Sequence, residues 1–411
     1  MNFEFFIAKR ILGNKQYKSS VSGPIIKIAI AAIALGMVMM LIAISSGVGL
    51  QVKIREKVAA FNGHIQIYNF DANYSEVSIN PISKEQEFYP YFNLVEGVNH
   101  IQAVATKGGI IRTENTFEGI IAKGVGTDYR WTFFKEYLVE GRLPDYSGSL
   151  NSETLISNYL AKRLNLKIGD SYFTFFLKED GSKIPNQRKF KVVGIYDSDF
   201  EEFDATYIFI DIRHIQRMNK WKEDEVGGFE LFVNDFSKIK DIENAVYGKT
   251  LSTLDSQSIE DKYIHIFEWI KLFDFNIAVI IGIMILVGGI NMITALLVLI
   301  LERTQMVGIL KALGSVNWSI RKIFLYNASY LISVGLFWGN VIGVGLLLLQ
   351  KYTGFIKLDP STYYVDKAPV YLNLSYILLL NAGTLFLCLF MLLIPSYIIT
   401  RIVPVKAIRF E

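Results

Sequence analysis

Residues 275–301, FNIAVIIGIMILVGGINMITALLVLIL, contain no Asp, Glu, Lys or Arg, and the chain then turns basic in ERTQMVGILKALGS at 302–315. About 20 apolar residues cross a hydrocarbon core of about 30 Å as a helix, so the first stretch reads as a membrane span. Working outward, the same test finds charge-free runs at 28–52, 323–350 and 368–400, with the last span itself at 375–400. Four transmembrane helices follow. A chain of 411 residues that is 51% hydrophobic and 14% aromatic is neither disordered nor an ordinary soluble protein. The run at 28–52 far exceeds the 7–15 apolar residues of a signal-peptide core, so it reads as an uncleaved anchor.

Charge orients the spans. The flanks at 1–27 and 302–322 are basic, through Lys9, Arg10, Lys15, Lys18 and Lys27, and through Arg303, Lys311, Arg321 and Lys322. The tail 401–411 adds Arg401, Lys406 and Arg409. By the positive-inside rule both termini and the 302–322 segment are cytoplasmic, while 53–274 and the loop 351–374 lie outside. The formal charge of +3 hides a split. Residues 53–274 hold 27 of the 42 basic and 34 of the 39 acidic side chains, a net −7, and the remainder carries +10. At this length, 53–274 buries a core of its own, expected as two subdomains. The fold class is thus a membrane protein, α+β, with four transmembrane helices and a large mixed α/β domain between helices 1 and 2.

Within that domain, VKIREKVAAF at 52–61 continues the first helix outward with Val58 and Phe61 on one face, and Gly63 stops it. HIQIYNF alternates like a strand. A helix through SNYLAKRLNL, a turn at Ile168-Gly169-Asp170, a strand YFTFFL, a charged turn and a strand KFKVVGIY follow. Further strands are expected at 207–210 and 229–233, with a helix near 212–221. From Ser256 to Phe273 the spacing of Ile259, Tyr263, Ile266, Phe267 and Ile270 predicts an amphipathic helix flowing into the second span. Both helices read as stalks.

Chemistry-bearing motifs are missing. Gly248-Lys249-Thr250 imitates the end of a phosphate-binding loop, but Glu243 stands where its first glycine belongs. The four histidines have no metal-ligand spacing, the single Cys388 excludes an intramolecular disulfide, and no nucleophile elbow occurs. The near-neutral balance argues against nucleic acid as a partner. No catalytic residue and no metal ligand is assigned, and the chain is expected to bind no cofactor itself. Gly335, Gly339 and Gly343 form two small-xxx-small steps, which suit close helix packing. Met37, Met39 and Met40, with Ile44 on the same helix, offer an adaptable apolar surface for a lipid chain. At 302–315, Met306, Ile309, Leu310 and Leu313 fall on one face of a short helix capped by Gly314, a face that needs the membrane surface or a protein groove.

The segment Glu302, Arg303, Val307, Gly308, Ile309, Leu310, Lys311, Ala312, Leu313, Gly314 resembles the coupling segment of MacB/FtsX-type ABC permeases, which share the topology of one helix, a large outside domain and three further helices. FIAKRIL at 6–12, GHIQI at 63–67, EGRLPD at 140–145, AKRLNLKIGD at 161–170, FKVVGIYDSDFEEFDATYIFI at 190–210 and DPSTYYVDKAPV at 359–370 are similar, in order and spacing, to the lipoprotein-releasing LolC/LolE type. The resemblance implies a periplasmic MacB-like core domain with stalk helices in a bacterial inner-membrane protein. It also implies an ATPase-coupling role for Glu302, Arg303, Met306, Gly308, Ile309, Leu310, Lys311, Leu313 and Gly314. A carrier-binding hairpin is implied between 177 and 190, formed by Ile184, Pro185, Asn186, Gln187 and Arg188.

The implied partners are a LolD-like ATPase dimer that binds ATP and Mg, a second permease subunit (the same chain or a LolC/LolE-type paralogue), a periplasmic lipoprotein carrier, lipoprotein substrates and membrane lipids. The alternatives are a MacB-like efflux permease and an FtsX-like signalling permease that controls a cell-wall hydrolase. A receptor without ATP is a more distant fourth.

Overall fold

A computed structural model describes residues 3–13, 22–72, 75–113, 116–178 and 184–402. Lys15, Lys18, Lys406 and Arg409, used for orientation above, and the charged turn at 179–183 lie outside the described residues. The chain divides into two compact units. One comprises 1–50, 270–357 and 367–411, and the other 51–269 and 358–366.

The first unit contains the membrane helices. Among the described residues, four helices are long and apolar enough to span: Ser22–Asn62, Ile264–Glu302, Asn317–Thr353 and Leu374–Ser396. The first and second also contribute residues to the other unit. The core of the first unit gathers Met37, Leu41, Met292, Leu296, Phe324 and Cys388, so each of the four helices supplies a buried side chain. A short helix, Phe3–Gly13, docks on this unit through Ala8, which packs with Ile323.

In the second unit the strands are β1 Ile65–Asn69, β2 Ile82–Ser83, β3 Val98–Arg112, β4 Phe117–Val125, β5 Leu138–Gly141, β6 Glu153–Ser157, β7 Ser171–Phe176, β8 Asn186–Tyr196, β9 Tyr207–Asp211, β10 Glu225–Val226, β11 Gly228–Val233 and β12 Leu254–Ser258. Ten of them form one sheet in the order β12-β1-β11-β3-β4-β9-β6-β8-β5, with β7 pairing both β3 and β8, and β2 pairs with β10 apart from it. The double pairing of β7 closes β3, β4, β9, β6, β8 and β7 into a ring. β4 runs parallel to β9 and β6 parallel to β8, whereas the β3–β4 and β7–β8 neighbours are antiparallel. The domain is one compact unit, which corrects the expectation of two subdomains. A ring built from strands between 98 and 211 leaves no seam at which to divide it.

Helix and sheet share a core. Val58 and Phe61, at the end of the first long helix, are buried, and the Phe61 and Phe203 ring centroids lie 4.7 Å apart. Gly63 ends the helix at φ +67, where a Cβ would stand 2.8 Å from Glu230 Cβ. The amphipathic helix expected from Ser256 is corrected. Residues 256–258 belong to β12, paired antiparallel with β1. Helix begins only at Ile259–Lys262, breaks at Tyr263 (φ −113, ψ 46) and resumes at Ile264. The backbone bonds offered by β1 outweigh the weak helical pattern of these polar residues.

Candidate functional site

The second membrane helix ends at Glu302, Arg303 takes φ −103 and ψ 16, and a separate helix runs Thr304–Ala312. Thr304 Oγ1 donates to the Leu301 carbonyl at 2.7 Å, which satisfies an acceptor freed by the break. Gly314 follows at φ +91, a left-handed position that suits glycine, and the Ser315 amide donates back to the Leu310 carbonyl at 3.0 Å.

The apolar face expected of this helix is divided. Val307 and Gly308 are buried, and Met306 and Leu310 pack against Ala8 and Ile323. Ile309 and Leu313 turn outward, 46% and 78% exposed. This corrects the expectation of one shared face: the docked N-terminal helix already covers half of it. Glu302 and Gly314 are exposed and Arg303 is half-buried. Lys311 does not face outward as a free charge. Its ammonium donates to the carbonyls of Ile399 and Ile402, each at 2.8 Å, and of Thr400 at 3.2 Å. It thereby caps the helical turn Tyr397–Arg401, a role that sequence spacing does not reveal.

Within the membrane helices, Gly335, Gly339 and Gly343 face the first helix. A Cβ on Gly339 would lie 2.7 Å from Met37 Cβ and 2.9 Å from the Ala34 carbonyl, and one on Gly335 would lie 3.1 Å from the Ile30 carbonyl. Met37 and Met40 are buried in this core, with Ile44 half-buried beside them. The expectation that Met37 and Met40 line a lipid cavity is therefore corrected, because their side chains are spent on packing inside the chain. The open apolar positions of the first helix include Ile28, Leu35 and Met39. Asn340 and Asn381 join the third and fourth helices by reciprocal amide hydrogen bonds of 2.7 and 3.1 Å, a polar link between two apolar surfaces.

In the extramembrane unit, Lys123 is 1% exposed and pairs with Glu230 Oε1 at 2.5 Å, while also donating to the Phe61 carbonyl. Gln102 donates to Glu230 Oε2 at 2.8 Å. Burial pushes the Lys123 ammonium below its ordinary value against the pull of Glu230. Lys57 is likewise buried, donating to Asp199 at 3.2 Å and to the Tyr364 carbonyl at 2.9 Å, and burial lowers it too. Tyr364 stacks on Phe200 with centroids 4.4 Å apart. The loop containing YYVD is thus held to the domain by a cation and a ring. Pattern alone does not reveal these two lysines, because a lysine in a strand or helix normally reads as solvated.

The expected carrier hairpin is β7–β8, with Phe176 opposite Asn186 and Thr174 opposite Arg188. Asn186, Gln187 and Arg188 are therefore ladder residues, whereas Pro185 and the exposed Ile184 precede the strand.

A membrane helix, a large α/β domain and three further membrane helices, with a separate short helix between the second and third, define the architecture of a multi-pass membrane protein. Residues 28–248 match the MacB-like periplasmic core domain family, and residues 278–404 match the FtsX-like permease C-terminal family. The chain belongs to the MacB-like periplasmic core domain family and is a LolC/LolE-type permease of the MacB/FtsX superfamily. It is 23% identical to the lipoprotein-releasing system transmembrane protein LolE of Haemophilus influenzae, covering 99% of both chains. It is also 23% identical to the LolC protein of Buchnera aphidicola, over 99% of this chain and 98% of the relative. Among solved structures, the extracellular domain of the noncanonic ABC-type transporter YknZ from Gram-positive bacteria aligns over 47% of this chain and 99% of its own, with 13% identity and a TM-score of 0.31.

Proposed function

We propose that this chain is the permease subunit of an ABC transporter that draws lipoproteins from the bacterial inner membrane and passes them to a periplasmic carrier. The observation that carries the reading is similarity running end to end to proteins named as lipoprotein-releasing LolC and LolE. The MacB-like and FtsX-like readings each rest on one part of the chain, 28–248 or 278–404.

In this reading ATP and Mg belong to a separate LolD-type ATPase dimer, and the second permease is another copy or a paralogue. The basic flanks support a cytoplasmic position for the termini and for the short helix 304–312. Ile309 and Leu313 are the apolar side chains left to enter a groove on the ATPase, while Met306 and Leu310 hold the helix to its own unit. A lipid anchor of roughly 45 methylenes, at ~0.8 kcal/mol each, costs far too much to lift into water. It must travel along apolar surfaces, and the open faces at Leu35 and Met39 on the first helix, with Ile283, Leu286 and Ile290 on the second, supply them. Ile184 and Pro185 at the β7–β8 hairpin are the proposed carrier contacts.

The test is lipoprotein release from proteoliposomes holding this chain, its ATPase and its carrier. Leu313→Asp is expected to leave the chain folded and to lower release roughly tenfold, as loss of an interface anchor does. Undiminished release would remove Leu313 from coupling. Absence of ATP-dependent release by the parent assembly would sink the transport reading itself.

A further inference from the structure

The third and fourth membrane helices leave a groove of about 370 Å³ between them, near the start of the third helix. Tyr326 and Ser329 line it from the third helix, Phe386, Phe390 and Leu393 from the fourth, and Lys322 stands at its mouth. Lys322 and Ser329 are two turns apart on one helix, so the groove has a basic end and an apolar body about 10 Å deep.

The charge is placed where lipid headgroups meet hydrocarbon. Lys322 is the last cation before the charge-free run 323–350. Its side chain is 41% exposed, with Glu4 at 3.9 Å. Arg321 beside it reaches the end of the fourth helix, donating to Ser396 Oγ at 3.0 Å and to the Leu393 carbonyl at 2.9 Å. Arg321 and Lys322 thus outnumber Glu4 at this mouth. Below them Phe386 and Phe390 expose broad apolar rings. A positive mouth above an apolar slot complements a molecule with a negative head and a hydrocarbon tail.

We propose that this groove binds an anionic phospholipid, its phosphate at Lys322 and one acyl chain between Tyr326 and Phe390. A neutral apolar partner leaves the positive charge in excess of Glu4 unanswered, and a soluble anion leaves the aromatic slot empty. The assignment does not depend on what the permease transports.

Native mass spectrometry of the full-length chain in mild detergent, delipidated and then offered equal phosphatidylglycerol and phosphatidylcholine, tests it. The parent is expected to retain the anionic lipid about fivefold better, the preference one lysine near an anionic headgroup supplies. Lys322→Glu is expected to abolish that preference and Lys322→Arg to keep it. Ser329→Trp, which fills the slot, is expected to reduce retention of both lipids. No preference in the parent, or one unchanged in Lys322→Glu, overturns the proposal. So does a second copy of the chain, rather than lipid, being lost from the variants.

Discussion

Gly339 in the third membrane helix and Lys123 in the extramembrane sheet are both buried, and the two regions use burial in opposite ways. Between the membrane helices, hydrocarbon outside is as apolar as the side chains inside, so contact is gained by removing atoms until backbones approach. Gly339 lets the first helix come so close that a Cβ would meet Met37 and the Ala34 carbonyl. In the extramembrane domain, water outside makes aromatic burial favourable, and a charge is tolerated inside when it is fully partnered. Lys123 has Glu230 and the Phe61 carbonyl, and Glu230 has Gln102. One region depends on shape and the other on pairing.

The largest break in that contrast is Lys123→Ala. It strands Glu230 in the core, and a loss of about 3–5 kcal/mol is expected, read by hydrogen exchange of the β4 and β11 peptides in the full-length chain. The double change Lys123→Met with Glu230→Leu is expected to recover most of it. A double variant as unstable as the single one would show that the pair is more than a mutually compensating burial. Gly339→Leu is the matching change in the membrane region, where overpacking is expected to cost roughly 1–3 kcal/mol in thermal unfolding in detergent. Unchanged stability there would mean that the helices separate freely.

The smallest effect sharpens the contrast through pH. Burial raises the Asp204 carboxyl from 3.8 to about 7, although it accepts hydrogen bonds from Ser198. Because the folded state favours the protonated form, this contribution is complete below pH 3.8 and is lost as pH rises through about 7. Asp204→Asn removes the titration, so its stability relative to the parent is expected to rise by roughly 1 kcal/mol from about pH 5.5 to about pH 6.5. A difference independent of pH would assign Asp204 a purely steric role.

Some of the architecture is legible residue by residue. Absence of charge over about 20 positions has one physical outcome in a bilayer, a helix that satisfies its own backbone. Gly63 and Gly314 read as stops and occupy positive φ, at +67 and +91. Alternation marks β7 and β8 as strands. The β3–β4 pair is not legible, because Gly108 and Gly109 interrupt its pattern; a Cβ on Gly109 would sit 2.8 Å from the Phe176 ring, so its bareness serves a neighbour distant in sequence. The candidate coupling face is legible only in part. Periodicity groups Met306, Ile309, Leu310 and Leu313, but it does not tell which of them a helix from the other end of the sequence covers.

Composition along the chain settles the solvent of each segment: which stretches lie in hydrocarbon, which in water, and where several helices stop, since these depend on local side chains and backbone freedom. Which side chains on a given helix are used up inside the chain emerges only once the elements meet. Met37 disappears against Gly339, Lys311 caps a turn at 397–401, and Lys123 enters a core beside Glu230. Burial and pairing are properties of two surfaces in contact, and a single segment carries only one of them.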